Sequence, residues 1–282
     1  MRTRPNCKIN LGLRVLRKRP DGYHDLATVF LPVDLCDEVE IESLPPTTPA
    51  EEDVLFSQSG ITVDCSWADN ICVKAYRLLK ADYPTLPAVK MHLVKNIPFG
   101  AGLGGGSADA AFVLRMLNEM FGLGLDSQRL KGYAARLGAD CAFFIDNCAA
   151  YATGIGDRLT PLEFDPIADY QLVLAKPDDA VSTREAYGGI RIDPTAAQGP
   201  ALPQLLQAPI AQWRSTIVND FEATVFPLHP AIAALKELFY AHGASYAAMS
   251  GSGATVFALF PKSSPAPQRL MDKLGATLIY AQ

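Results

Sequence analysis

The chain has 282 residues, enough for about two domains. Apolar residues make up 49% of it and charged residues 20%, which supports a sizeable core and excludes a disordered chain. Lys and Arg number 25 against 30 Asp and Glu, so the net charge is −5 and no global positive field attracts nucleic acid. An anionic ligand must therefore be held by local dipoles and a metal ion.

The cysteines and the apolar segments favour a protein of the reducing cytoplasm. The six cysteines, at positions 7, 36, 65, 72, 141 and 148, lack the short spacings of zinc or redox motifs, so we predict buried free thiols in a reducing compartment. Residues 1–13 have no apolar signal-peptide core. Residues 243–260 are uncharged but too rich in Gly and Ser for a membrane helix.

The first part of the chain is predicted to begin with strands. Partial alternation of apolar residues indicates strands, at residues 9–16, 27–35, 38–41 and 89–94. A turn is predicted at residues 20–22, and a Pro-rich surface loop at 44–53. Apolar residues at helical spacing predict a helix over 70–81.

The second part alternates helices and strands. Residues 108–121 are apolar on most sides, which predicts a buried helix. A second helix begins at the potential cap Ser127 and ends at Gly138 in the usual glycine-terminated manner. We expect a strand over 151–156 that ends in a Gly-x-Gly turn, and an irregular insertion at 192–209. The remaining elements are strands at 171–175, 246–249 and 255–260 and a helix at 230–242.

Residues 98–108 carry the strongest functional signal. Five glycines lie between Gly100 and Gly106, after a predicted strand and before the buried helix. Glycine lets backbone N–H groups approach a ligand, and the first amides of the following helix are unpaired at its partly positive end. Ser107 and Asp109 can cap this helix or contact a phosphate. The segment therefore predicts an anion site suited to phosphate.

Other interpretations of this segment remain open. The spacing Gly100-x-Gly102-x-x-Gly105 formally matches the dinucleotide fingerprint, but that fingerprint follows its strand directly and feeds a second strand with a terminal acid. Here residues 96–99 intervene, and Asp126 lies between two predicted helices. A Walker A loop needs a lysine after the glycines, and none follows. A flexible linker is the structural alternative, although linkers do not run directly into a buried helix.

The glycine segment resembles the phosphate-binding motif of the GHMP kinases, small-molecule kinases that have no Walker A loop. Two further motifs occur in the family's order. Residues 5–10, Pro-Asn-Cys-Lys-Ile-Asn, resemble its N-terminal motif, and residues 249–257, Met-Ser-Gly-Ser-Gly-Ala-Thr-Val-Phe, resemble its C-terminal glycine motif. The resemblance extends over nearly the whole chain.

A second set of residues narrows the resemblance to members that act on a cytidine diphosphate conjugate of methylerythritol. The most discriminating segment is residues 19–25, Arg-Pro-Asp-Gly-Tyr-His-Asp, which other GHMP kinases lack. Further matches lie at residues 69–70, 137–144, 181–183 and 219–222. Ala142 and Ala254 depart from the family's usual Pro, and Phe221 from its usual Leu; none of these three positions carries chemistry.

The resemblance implies a two-domain α+β fold with the active site between the domains. The N-terminal domain would be like ribosomal protein S5 domain 2, and the C-terminal domain would be ferredoxin-like. The sequence texture changes near residues 160–166, so we predict an ATP-binding domain at 1–160 and a second domain at 161–282. The implied reaction uses ATP and Mg²⁺ to phosphorylate the 2-hydroxyl of the methylerythritol moiety, in the non-mevalonate isoprenoid pathway. We expect a cytoplasmic monomer with a small-molecule substrate and neither a nucleic-acid nor a membrane partner.

Two residues are predicted to be catalytic. Phosphoryl transfer needs a phosphate cradle, a metal, a base and a cation more than it needs covalent chemistry. Asp140, just past Gly138, is our hypothesis for the base; the alternative is a helix cap for residues 141–145. Lys8 is the proposed cation that keeps Asp140 ionised, and a surface lysine is its alternative. Asn10 shares a strand face with Lys8 and is a candidate substrate ligand.

The resemblance also assigns the binding residues. Tyr23 and His24 would stack on and hydrogen-bond the cytosine, with Tyr187 as a second stacking ring and Thr183 nearby. For Tyr23 and His24 the plain alternative is the flank of a turn. The residues matched to the ATP site are Asn70, Lys95, Pro98, Phe99, Gly100, Ala101, Gly102, Leu103, Gly104, Gly105, Gly106, Ser107 and Ala108.

Three rival functions remain at this point. Another GHMP kinase, acting on homoserine or mevalonate, is disfavoured by the Asp-Gly-Tyr-His block. A catalytically inactive nucleotide-binding regulator is disfavoured by the presence of both Lys8 and Asp140. An oxidoreductase of the dinucleotide-binding type would bind NAD(H).

Overall fold

The computed structural model describes residues 1–48, 53–62, 66–193, 199–274 and 278–281. In this part of the chain the strands are β1 (Arg2–Thr3), β2 (Asn6–Lys18), β3 (His24–Cys36), β4 (Glu38–Ser43), β5 (Val54–Gly60), β6 (Val89–Lys95), β7 (Ala150–Thr153), β8 (Arg158–Pro161), β9 (Tyr170–Ala175), β10 (Tyr246–Met249), β11 (Val256–Pro261) and β12 (Leu278–Ala281). The helices are α1 (Ile71–Asp82), α2 (Gly105–Met120), α3 (Ser127–Leu137), α4 (Phe143–Asp146), α5 (Thr183–Gly188), α6 (Leu202–Leu205), α7 (Trp213–Thr216), α8 (Glu222–Leu228), α9 (Pro230–Ala241) and α10 (Ala266–Leu274).

The chain divides into two compact units that alternate along the sequence. The first consists of Met1–Lys8, Pro32–Phe99 and Gly104–Cys148. The second consists of Ile9–Leu31, Gly100–Leu103 and Ala149–Gln282. The predicted domain division at residue 160 stays a prediction.

The first unit is a mixed sheet with helices packed together beside it. Its sheet has the order β1-β4-β6-β5, in which only the pairing of β5 with β6 is parallel. Strand β6 alternates strictly, with Val89, Met91 and Leu93 buried, because every second side chain enters the core. Helices α1, α2 and α3 pack against one another. Most residues of α2 are buried, as expected for a helix that is apolar on most sides.

The second unit contains an antiparallel sheet with the order β10-β11-β9-β12. Taken in chain order with the helices between them, its strands form a β-α-β-β-α-β arrangement, which is the ferredoxin-like topology. Helix α9 buries Ile232, Leu235 and Phe239, whose spacing of three and four places them on one face. These residues form one core with the buried faces of β9 and β11.

A third sheet has the order β2-β3-β7-β8. Strands β3, β7 and β8 pair antiparallel, with Val29 opposite Tyr151 and Ala152 opposite Leu159. The long strands β2 and β3 have residues in both units. The α+β class and the ferredoxin-like sheet are therefore confirmed.

Most long elements predicted from the sequence are confirmed with shifted ends. Strand β2 is longer than predicted, and α2 begins at Gly105, inside the glycine segment, rather than at residue 108. No sequence pattern predicted β1, β5, β8, β12, α5, α7, α8 or α10, and the predicted irregular insertion contains the short helix α6. The predicted insertion and the predicted Pro-rich loop each lie partly outside the described residues.

The ends of α3 differ from the prediction. Asp126, not Ser127, is the N-cap, and its carboxylate accepts a hydrogen bond from the Arg129 amide at 2.8 Å. At the other end Gly138 has φ 176°, which is extended backbone rather than the left-handed conformation of a glycine cap.

The cysteine prediction is confirmed for four residues. Cys7, Cys36, Cys72 and Cys141 are buried free thiols. Cys148 is also free but is exposed, because it follows α4 at the surface, and Cys65 lies outside the described residues. Among the helices that the structure describes, none is long and apolar enough to cross a bilayer.

Candidate active site

The first turn of α2 is built to receive an anion. Gly104 is its N-cap, with φ 71° and no side chain to occupy the helix end. A Cβ on Gly106 would meet only the Ile71 Cγ2 atom, at 3.8 Å. The first amides of this 16-residue helix have no side-chain cap, and the helix dipole makes its N-terminus favourable for phosphate.

Lys8 and Asp140, the two predicted catalytic residues, lie next to each other in the first unit. Lys8 Nζ is 3.5 Å from Asp140 Oδ2; the Lys8 side chain is 4% exposed and that of Asp140 34%. A Cβ on Gly104 would lie 3.1 Å from Lys8 Cε, so the lysine lies against the start of α2. A buried ammonium beside a partly exposed carboxylate can attract and orient that carboxylate.

The alternative role of Asp140 as a helix cap does not fit the geometry. Helix α4 begins at Phe143, its N-cap is Ala142, and no side chain caps it. Only the carbonyl of Asp140 serves the helix, accepting from the Phe143 amide at 3.2 Å. The carboxylate is therefore available for Lys8 and for a ligand.

Ser107 connects the turn that carries Asp140 with the first turn of α2. Its hydroxyl is near enough to the thiol of Cys141, the residue that follows Asp140, to influence the pKa of that thiol. Burial raises the pKa of the Cys141 thiol to about 11, and the Ser107 hydroxyl opposes this. The thiol is therefore neutral and serves as a packing and hydrogen-bonding group rather than a nucleophile.

In the second unit, the glycine segment packs against the C-terminal glycine motif. A Cβ on Gly102, where φ is +75°, would lie 2.0 Å from the Ser250 carbonyl oxygen, so no other residue fits here. The Ser250 hydroxyl donates to the Gly102 carbonyl at 2.9 Å and accepts from the Asn10 amide at 3.2 Å. The N-terminal strand and both glycine motifs therefore meet through Ser250.

Two asparagines of this region are buried and engaged. Asn219 donates from Nδ2 to the carbonyls of Met249 and Gly251, both at 2.8 Å, and so holds the C-terminal glycine turn. Sequence reasoning included Asn219 in a family motif but gave it no role. Asn10 donates from Nδ2 to the Thr28 hydroxyl at 3.0 Å, and its predicted substrate contact stays a prediction.

The predicted cytosine-binding residues form a partial stack. The rings of His24 and Tyr187 are 4.7 Å apart and nearly parallel, at 19°. The Tyr187 ring also packs edge-on with the Phe221 ring, with the two ring centroids 4.7 Å apart. Burial, and then the charge of Lys18, lower the pKa of His24, so its ring is neutral at physiological pH. Tyr23 is 61% exposed, and the structure gives it no stacking contact.

Thr183 begins α5, the helix that carries Tyr187. Its hydroxyl lies 3.5 Å from the Ser252 hydroxyl of the C-terminal glycine motif. The structure therefore places Thr183, Ser252 and the His24–Tyr187 stack in one region of the second unit, and the substrate contacts of Thr183, His24 and Tyr187 stay predictions.

The two residues predicted beside adenine have other contacts. Asn70 is the N-cap of α1 and accepts from the Cys72 amide at 2.9 Å. The Lys95 side chain is only 3% exposed and is ion-paired with Asp37 and with Asp109. Phe99, by contrast, is 69% exposed and is free to cover a ligand. The adenine contacts of Asn70 and Lys95 stay predictions.

Asp109 does not face a ligand, contrary to expectation. Its side chain is 2% exposed and bonds Lys95 Nζ at 2.9 Å. Burial raises the pKa of the Asp109 carboxyl to about 8, although Lys95 opposes the shift. The sequence could not reveal this, because α2 is apolar on most sides and its period does not show which face turns inward.

The family of the protein follows from comparisons over the whole chain. A family model described as GHMP kinases N terminal domain matches residues 70–154, and one described as GHMP kinases C terminal matches residues 201–278. The chain belongs to the GHMP kinase family. Its relatives include 4-diphosphocytidyl-2-C-methyl-D-erythritol kinase of Bacteroides fragilis, 48% identical over 92% of each chain. The enzyme of that name from Parabacteroides distasonis is 47% identical, over 92% of this chain and 91% of the relative.

Solved structures agree with this assignment. A crystal structure of 4-(cytidine 5'-diphospho)-2C-methyl-D-erythritol kinase matches with a TM-score of 0.81 and 31% identity, over 100% of this chain and 97% of that one. Mevalonate kinase from Methanococcus jannaschii matches with a TM-score of 0.70 over 100% of this chain and 96% of the other, but at 11% identity it shares the fold alone.

Proposed function

We propose that the protein uses ATP to phosphorylate the 2-hydroxyl of 4-diphosphocytidyl-2-C-methyl-D-erythritol. The observation that carries this proposal is the Lys8–Asp140 pair, 3.5 Å apart, against the start of α2. A base, a cation and a phosphate cradle are the parts that phosphoryl transfer requires. The identity of 47–48% with kinases of that name supports the particular acceptor.

In the proposed reaction Asp140 accepts the proton of the acceptor hydroxyl. The transition state is loose, so this proton leaves late and a carboxylate of ordinary basicity suffices. Lys8 orients Asp140, and its positive charge stabilises the negative charge that develops on the transferring group. The buried position of Lys8 fixes this charge in place before the substrates bind.

The phosphates of ATP are proposed to lie at the N-terminus of α2. The residues that fit this role are those of the segment 98–108, whose helix end carries no side-chain cap. Mg²⁺, when bound with the nucleotide, would neutralise charge on the phosphate oxygens. In the described residues no cluster of three or more His, Cys, Asp or Glu is placed to hold a metal. In kinases Mg²⁺ is bound mainly through the substrate phosphates and water with one or two carboxylates, a smaller set of ligands than such a cluster.

The cytosine ring is proposed to stack on Tyr187. Stacking of a base on an aromatic ring contributes about 1–3 kcal/mol. We expect the cytosine to replace His24 on Tyr187, so that His24 turns its neutral ring to hydrogen-bond the pyrimidine edge. The exposed ring of Tyr23 is then placed to cover the base from its own side.

The remaining assignments belong to the same proposal. The residues 1–160 serve ATP binding and 161–282 form the second domain. The enzyme works as a monomer in the cytoplasm, on a small molecule, without a nucleic-acid or membrane partner.

The test is an ADP-release assay with Mg²⁺-ATP and three acceptors. We expect turnover with 4-diphosphocytidyl-2-C-methyl-D-erythritol and none with homoserine or mevalonate. Turnover with homoserine alone or with mevalonate alone would show that the protein is a kinase but that the proposed acceptor is wrong. Nucleotide binding without any turnover would instead favour a regulator.

A further inference from the structure

We propose that Asp37, Lys95 and Asp109, here called the buried triad, clamp both ends of the glycine segment 98–108 and thereby position the phosphate-binding amides. The triad acts through the backbone, and its side chains are at most 3% exposed, so these are positioning residues for nucleotide binding. The inference rests on the proposed function, because it takes the start of α2 as the nucleotide phosphate site.

Asp37 holds the entry to the glycine segment. It lies between β3 and β4, and its Oδ1 accepts hydrogen bonds from the amides of Asn96 at 2.6 Å and Ile97 at 2.8 Å. These two residues directly precede Pro98. A carboxylate that accepts two backbone amides fixes the direction in which the chain leaves β6.

Asp109 holds the exit of the segment. It is the fifth residue of α2, and its Oδ2 accepts from Lys95 Nζ at 2.9 Å. Lys95 in turn bonds Asp37. A Cβ on Gly105, the first residue of the helix, would lie 3.0 Å from Lys95 Nζ, so the ammonium lies directly against the helix start. One side chain therefore connects the entry, the first helical residue and the exit.

The burial of the triad makes it an expensive way to secure stability alone. The side chains of Asp37, Lys95 and Asp109 are 0%, 3% and 2% exposed. Desolvation of buried ion pairs commonly cancels their attraction, and apolar residues of similar volume are often as stable. In addition, one lysine ammonium can neutralise only one of the two carboxylates, so the triad with both carboxylates ionised would carry a surplus negative charge. A role in geometry explains the arrangement better than a role in stability.

Burial raises the pKa of the Asp109 carboxyl to about 8, which favours its protonated form and so lessens the surplus negative charge. The ionisable groups that face it are Lys95, Asp37 and the Cys72 thiol on α1. Its Oδ1 is buried and has no hydrogen-bond partner among the described residues, which disfavours a full charge there. With Asp109 protonated, the triad is neutral, and no negative charge stands behind the amides that are to receive phosphate.

The test compares two substitutions of Asp109 that differ in one respect. Asp109→Asn keeps a neutral acceptor for Lys95, whereas Asp109→Leu has similar volume and removes it. The dissociation constant of a fluorescent ATP analogue with Mg²⁺ is measured for each. We expect less than about threefold weakening for Asn and about tenfold or more for Leu, a difference that corresponds to the loss of one well-placed hydrogen bond. Equal affinities of the two variants would overturn the clamp.

A control separates positioning from general destabilisation. Val113→Ala removes a fully buried methyl pair from the same helix, one turn beyond Asp109, and leaves all three side chains of the triad in place. We expect it to lower the melting temperature but to leave nucleotide affinity within about twofold, since the loop anchors are intact. If Val113→Ala weakened the nucleotide as much as Asp109→Leu, the triad would be merely structural.

Two further readouts keep the inference testable. If Asp109→Leu does not fold, Lys95→Gln takes its place, and an unchanged affinity would refute the clamp. In the folded variants we expect the KM for ATP to rise while kcat at saturating ATP and the KM for the second substrate change much less. A wild-type protein that binds the nucleotide without turnover would refute the proposed function and leave the binding comparison intact.

Discussion

Lys8 and Asp140 form an ion pair in which one partner is buried and the other is not. The Nζ and Oδ2 atoms are 3.5 Å apart, with the lysine 4% and the aspartate 34% exposed. This difference in exposure suits catalysis. The burial of the ammonium fixes its position, and the carboxylate that it orients remains accessible to a substrate hydroxyl. The separation also leaves room for the pair to tighten when substrate binds.

Asp140→Asn is expected to lower kcat by about 10²–10⁴ because the amide keeps the shape but cannot accept a proton. Steady-state kinetics with the cytidylyl substrate and saturating ATP measure the effect. Lys8→Met should likewise lower kcat while nucleotide affinity stays near that of the wild type.

The matched control is Asp146→Asn. Asp146 is an aspartate on α4, six residues further on, where it pairs with Lys131 at the surface. Its substitution should change kcat by less than about twofold, since exposed ion pairs contribute little. A decrease in kcat of less than tenfold in Asp140→Asn would contradict the role of Asp140 as the base.

Gly102→Ala is expected to disrupt the contact between the two glycine motifs and to lower the free energy of unfolding. The new methyl group would lie 2.0 Å from the Ser250 carbonyl oxygen, at a φ of +75°. Gly122→Ala is the control, since Gly122 has φ +60° with nothing near its Cβ. Gly122→Ala should cost only the left-handed strain, about 1–2 kcal/mol of unfolding free energy. Gly102→Ala should cost clearly more in chemical denaturation, and equal costs would contradict the close approach.

The sequence predicts the long elements well because burial imposes a period on them. Strand β6 alternates strictly, and α9 repeats at helical spacing, so both are visible without a structure. Strand β5 was not predicted because it is an edge strand whose residues, apart from Val54, are not buried. Helix α10 escaped because its buried residues Leu270 and Leu274 lie among charged ones near a proline.

The candidate site also contains residues that the sequence could predict and residues that it could not. The glycine segment and the Lys8 and Asp140 positions could be found because their local motifs are recognisable. The buried triad could not, since Asp37, Lys95 and Asp109 are 14 to 72 positions apart and their pairing depends on the tertiary fold. The stacking of His24 on Tyr187 is also long-range, and the sequence assigned the two rings only through the resemblance.

His229 is expected to make the position of α5 depend on pH. Its Nδ1 lies 3.0 Å from Asp179 and its Nε2 3.4 Å from Glu185 of α5. The bond to Asp179 raises the pKa of His229; burial opposes the rise, and Glu185 adds to it. The third charged group at this cluster is Lys176, whose Nζ donates to the Asp179 carbonyl at 3.1 Å.

The sign follows from the raised pKa. The histidine contributes stability fully below its unfolded pKa, about 6.5, and loses that contribution as pH rises through the higher folded value. Thermal unfolding from slightly acidic to slightly alkaline pH should therefore show falling stability in this window. His229→Gln and Asp179→Asn should both flatten that fall. A wild-type slope that survives either substitution would show that another group titrates.

Tyr187→Ala is expected to raise the KM for the cytidylyl substrate about fivefold or more, because it removes a ring whose stacking on a base contributes about 1–3 kcal/mol. Tyr187→Phe keeps the ring and should stay within about threefold, which separates stacking from loss of the hydroxyl. The KM for ATP serves as the internal reference and should not move in either variant. The ring of Tyr187 also meets the edge of Phe221, so unfolding must be checked alongside. If the alanine variant folds and its KM for the cytidylyl substrate is unchanged, the cytosine lies elsewhere, and Tyr187 serves only to anchor α5 against His24 and Phe221.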